Sequence, residues 1–112
     1  MIERKTLKKT AILMCKKSLS DGKTIKAKLF GTSMIPTIYP GSTIFIKKQN
    51  SYEINDIVAF DVKEDGYFVV HRIVKKCDNK FLIVGDNSKD NAEWVNKSDV
   101  YGVVLKYENK SE

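Results

Sequence analysis

From residue 23 onward, turn residues cut the chain into short, mostly apolar stretches, and this limits the possible folds more than any other feature. Thr24-Ile25-Lys26-Ala27-Lys28-Leu29-Phe30 alternates and stops at Gly31. Pro40-Gly41 leads into a second stretch, residues 42–47, and residues 56–61 form a third. The hairpin signal Asp65-Gly66 precedes residues 67–74, and Asp78-Asn79-Lys80 precedes residues 81–84. Residues 99–106 make the last. Each stretch is short and bounded by turn residues, and so reads as a strand. Strand after strand with only turns between predicts a mainly β, coiled, barrel-like domain. Gly85 to Glu93 reads as a polar loop, and Trp94 as a lid on the core.

Ahead of the strands, residues 3–19 read as a helix. Leu7, Ala11, Met14, Ile12 and Leu19 fall at helical spacing among lysines, and Ser20-Asp21-Gly22 stops the run. The expected organisation is a basic amphipathic helix over 1–22, one domain over 23–107 and a frayed tail over 108–112. The helix has three available uses: packing on the domain, lying on a membrane surface, or binding a partner.

The net charge of +6 is concentrated here, with Arg4, Lys5, Lys8, Lys9, Lys16, Lys17, Lys23, Lys26 and Lys28 against Glu3 and Asp21. A basic helix on a near-neutral domain argues against a nucleic-acid-binding fold. It leaves peripheral contact with an anionic membrane open through residues 1–20. The apolar run Ala11 to Cys15 falls far short of the ~20 residues that span a bilayer. No cleavage-site pattern follows it. A soluble, cytoplasmic chain is expected. Cys15 and Cys77 lack metal-ligand spacing and read as reduced thiols, a single disulfide being the alternative. No metal cluster or nucleotide motif is visible, so no cofactor is expected. Nothing in the sequence fixes an oligomeric state.

Three segments bear chemistry. In Gly31-Thr32-Ser33-Met34-Ile35-Pro36-Thr37 a serine sits in a turn directly after a strand, where its hydroxyl is accessible and backbone N–H groups lie close. Alone, such a serine more often satisfies a turn. His71 is the one histidine, on a strand where Val69, His71 and Ile73 share a face. Imidazole is the side chain best suited to take a proton from serine near neutral pH. Gly85-Asp86-Asn87-Ser88-Lys89-Asp90 supplies two carboxylates, either of which is a candidate to orient the imidazole. Lys75 and Lys76 read as a solvated turn, and Glu64 and Asp65 as solvent-facing.

Taken in order, Ser33-Met34-Ile35-Pro36-Thr37, Asn55-Asp56-Ile57-Val58-Ala59-Phe60, Val70-His71-Arg72-Ile73-Val74 and Gly85-Asp86-Asn87 resemble the box pattern of signal peptidase I. The stretch from Glu93 to Gly102 is similar to the end of that domain, so the likeness covers about residues 24–105. Bacterial members and the related LexA-type autoproteases pair serine with lysine. This chain carries His71 there and looks like the endoplasmic-reticulum and archaeal branch, without that family's membrane anchor.

The resemblance implies a serine endopeptidase acting on a peptide or protein precursor, with leader removal as one use. It implies Ser33 as nucleophile and His71 as base. The acid would be Asp90, or else Asp86. Gly31 stands where bacterial members have a serine that donates to the oxyanion, which leaves the Ser33 backbone N–H as donor. Met34 and Pro36 are expected to contact substrate. The rival is a non-catalytic peptide-binding module on the same fold. A DNA-binding regulator is disfavoured, because one helix leaves no room for a helix-turn-helix.

Overall fold

The computed structural model of the chain describes residues 14–62, 67–87 and 91–109. The turn-bounded stretches form strands β1 (Ile25–Lys28), β2 (Thr43–Lys47), β3 (Ile57–Val62), β4 (Tyr67–Cys77) and β5 (Lys80–Val84). Two more follow, β6 (Glu93–Asn96) and β7 (Val100–Glu108), separated by a short 3₁₀ turn over Lys97–Asp99. All neighbours are antiparallel, in the order β1-β2-β7-β3-β4-β5-β6. The last strand therefore lies inside the sheet, with β2 on one flank and β3 on the other.

Register shifts at Phe45/Ile46 and Ala59/Phe60 flank β7, and a third lies in β4 between Ile73 and Lys75. Bulges raise local twist, and three of them coil the sheet. Coiling also presses β7 close to β2. A Cβ on Gly102 would stand 2.8 Å from Ile46 Cγ2 and 2.9 Å from the Lys47 carbonyl oxygen.

Because the sheet coils, β3 is buried on both faces. Ile57 and Ala59 pack with Ile44, Ile46, Met34 and Ile38, while Val58 and Phe60 pack with Ile73, Ile83 and Val103. Fully burying an aliphatic side chain of this size contributes ~1.5–3 kcal/mol. This doubly covered strand is the rigid base against which β4 is laid.

β6 corrects one expectation. The sequence reads as loop through Glu93 and makes Trp94 a core lid. Instead Glu93 begins an edge strand paired only with β5, from which Val95 alone points inward, leaving Trp94 51% exposed.

Residues 14–20 are helical. The helix ends on Gly22 at φ +82°, with Gly22 N–H bonded to the Leu19 carbonyl and Lys23 N–H to that of Ser18. That pairing is a Schellman cap, which glycine accommodates without strain. Leu19 is buried in the core, and Lys16 lies 3.5 Å from Asp61, so this part of the helix packs on the domain. Met14, expected on its apolar face, is 68% exposed. Leu7, Ala11 and Ile12 lie outside the described residues. Among the described residues no helix is long and apolar enough to cross a membrane. Cys15 and Cys77 are both free.

Candidate active site

Ser33 lies in the long connection between β1 and β2. The Leu29 N–H donates to the Ser42 carbonyl (2.9 Å) and the Gly41 N–H to that of Leu29 (2.8 Å), closing its base. Gly31 starts the turn at φ +85°. Inside it, the Ile35 N–H donates to the Thr32 carbonyl, while those of Thr37 and Ile38 donate to Met34. The peptide between Ile35 and Pro36 is cis. Met34 and Ile38 are buried on the sheet, so the connection folds over the core instead of projecting from it. Met34 is 0% exposed, which corrects its expected role: it is a core residue, with no surface for substrate. Pro36 is exposed.

The imidazole comes from the middle of β4, where His71 pairs opposite Val58 of the rigid β3. Its Nε2 stands 3.0 Å from Ser33 Oγ. The ring packs 5.8 Å from that of Phe60. Burial pushes the His71 pKa below its ordinary value, and the Asp86 charge draws it part of the way back. A neutral imidazole at neutral pH follows, the form able to accept a proton. Nδ1 is buried and has no hydrogen-bond partner among the described residues.

Gly85 makes this meeting sterically possible. β5 ends at Val84, opposite Arg72, and Gly85 follows against the pair. A Cβ there would lie 2.7 Å from the Ser33 carbonyl oxygen and 3.1 Å from both His71 Nε2 and Ser33 Cβ. The loop is then stapled to the turn: the Asn87 N–H donates to the Ser33 carbonyl (2.8 Å), and Asn87 Nδ2 donates to that of Thr32 (3.1 Å).

Successive residues of β4 point to opposite faces, and the connection engages both. On one face Ser33 meets His71. On the other, Arg72 donates to Asp86 through Nε and Nη2, each at 2.9 Å, and Thr37 Oγ1 donates to Asp86 Oδ2. The Arg72 Nη1 donates to the Asn55 carbonyl at 3.0 Å. The Arg72 guanidinium holds the Asp86 carboxyl below the usual carboxylate range, with a further contribution from Thr37. Asp86 is therefore a bracket between turn and strand. Asp90 lies outside the described residues.

Arg72 and Gly85 stood in the sequence motifs without an assigned task. A signal for Arg72 was present, since the residue after His71 must face the other way and needs an anion there. Among the described residues no group of three or more His, Cys, Asp or Glu side chains is placed to hold a metal ion. Two surface clefts of about 550 and 520 Å³ open around Asn79 and Asn96, at the other end of β5, and share no residue with this cluster. The serine and imidazole are both half-buried.

A family model described as Peptidase S24-like matches residues 3–105 of the chain. No curated protein gives a significant match.

Proposed function

The chain belongs to the Peptidase S24-like family, and we propose that it is a serine endopeptidase with Ser33 as nucleophile and His71 as general base. The observation that carries this reading is the 3.0 Å approach of Ser33 Oγ to His71 Nε2, made possible by the bare backbone of Gly85.

In the proposed reaction, Nε2 takes the hydroxyl proton as Oγ attacks the scissile carbonyl carbon. The negative charge on the carbonyl oxygen is stabilised by the Ser33 N–H, which the turn's own hydrogen bonds leave unused among the described residues. The imidazolium returns the proton to the leaving amine as the C–N bond breaks, which leaves an ester on Ser33. Water, deprotonated by the same imidazole, releases the acid and restores the serine. Asp86 keeps turn and strand in register while Arg72 occupies its charge. An acid acting on Nδ1 would come from the loop that contains Asp90.

Within the family we favour signal-peptidase-like cleavage of a peptide or protein precursor, with leader removal as the use, on the strength of the motif order and the histidine in place of lysine. The test is labelling by a fluorophosphonate probe, comparing the parent with Ser33→Ala. Stoichiometric labelling of the parent and none of the variant is expected. An unlabelled, folded parent would favour the non-catalytic peptide-binding module.

A further inference from the structure

Asn109 directly follows β7, in a stretch whose sequence suggests only a frayed end. Its position follows from the sheet. Glu108 pairs opposite Thr43, so the next residue falls beside Ser42, at the base of the connection that carries Ser33. There the side chain is fully engaged. Oδ1 accepts the Tyr39 N–H at 3.0 Å and the Ser42 hydroxyl at 2.9 Å, and Nδ2 donates to the Thr37 carbonyl at 3.2 Å. Using both ends of the amide fixes which way it is turned.

Thr37 is consequently held from two sides. Asn109 binds its carbonyl, and Asp86 accepts its hydroxyl. Its own N–H donates to the carbonyl of Met34, the neighbour of Ser33, at 2.8 Å. The contact path from Asn109 to the candidate nucleophile is thus Thr37, then Met34, then Ser33. Asp86 secures the connection to β4, which carries the imidazole. Asn109 secures the same connection to β7.

We infer that Asn109 is a positioning residue for Ser33, setting the height of the serine turn over His71 through the Thr37 carbonyl. This rests on the proposed role of Ser33. The Tyr39 and Ser42 bonds anchor the later part of the connection, and the Thr37 bond is the limb that reaches the serine. A serine displaced by ~1 Å from its acceptor loses on the order of 100-fold in rate, so a single surface amide suffices to govern activity.

Two variants separate positioning from simple anchorage. Asn109→Asp keeps an acceptor for Tyr39 and Ser42 and loses the donor to Thr37, whereas Asn109→Ala loses all three bonds. The readouts are the rate of fluorophosphonate acylation, the melting temperature, and the ¹⁵N resonance of His71 Nε2, calibrated with Ser33→Ala. Both variants are expected to acylate about 10- to 100-fold more slowly. Their His71 resonance should move toward its value in Ser33→Ala, and Asn109→Asp should melt close to the parent. Parental acylation and a parental His71 resonance in folded Asn109→Asp would overturn the inference. So would an acylation loss matching only the unfolded fraction. A parent that does not acylate, combined with the expected His71 shift in the variants, would keep the positioning role and reject the nucleophile.

Discussion

Asp86 grips Arg72 with both carboxylate oxygens, each at 2.9 Å, and so its hydrogen bonds go to the residue next to His71, while His71 feels only its charge. The pair ties the loop after β5 to β4, and Thr37 ties it to the serine turn.

Replacing this carboxylate should first be felt as lost stability. Asp86→Asn weakens a paired, half-buried contact and is expected to cost about 1–3 kcal/mol. The pH dependence has a definite sign. Arg72 lowers the folded pKa of Asp86, so the stabilisation is complete above its ordinary value of 3.8 and fades as pH falls through the lower folded value. Melting curves from pH 7 to pH 2 should show the parent losing this advantage below about pH 4. A variant whose acid limb matches the parent's would place the stabilisation elsewhere.

Acylation should follow the neutral form of His71. Burial lowers its pKa from 6.5, so the rate should rise with pH along a limb centred below that value and reach its plateau by neutrality. Asp86→Asn removes the charge that partly restores the pKa and should move the limb further toward acid. Stability linkage runs the same way: the unfolded chain takes up the proton at higher pH, so this contribution is complete above 6.5 and is lost as pH falls. A limb centred above 6.5 would mean that another group governs the reaction.

Ser33→Ala and His71→Ala should each remove most activity, and the double variant should be little worse, because the two side chains act as a unit. Independent, multiplying losses on a verified peptide substrate would break the pairing.

Gly85→Ala tests the steric argument. The new methyl would meet the Ser33 carbonyl oxygen, a backbone atom, at 2.7 Å, where no side-chain rotation relieves it. Ser33 and His71 should part, lowering acylation by about 100-fold. The overpacking should cost about 1–3 kcal/mol in a urea titration. Unchanged acylation would mean that the approach of the two loops is loose.

The strands on which these groups stand were legible in the sequence for two reasons: burial on one face leaves a period of two in β1, β2 and β5, while β3, buried on both faces, shows as a short apolar run between turns. β6 was not, since an edge strand with one inward residue, Val95, carries no period to read. The meeting of Ser33 with His71 was legible through motif order, which strand alternation alone could not supply. Met34 misled for a physical reason: a residue beside an exposed serine can still turn inward, and here the cover of the core required it. Asn109 left no trace at all. A lone polar residue after a strand is ordinary in sequence, and only the register of β7 against β2 gives it a partner.

The place of β7 in the sheet also sets the order in which activity can arise. Ser33 is carried by the β1–β2 hairpin and His71 by the β3–β6 meander, and within the sheet only β7 bonds to both. β7 comes after every other strand during synthesis. A chain still emerging from the ribosome therefore lacks the strand that joins the two halves of the sheet, and Ser33 and His71 are held together only by the contacts of the serine turn with β3, β4 and the loop after β5. The non-local pairings that unite them are the slow kind in folding. If the proposed peptidase role holds, full activity should therefore be reached late, when the final strand inserts and fixes the two halves to one another.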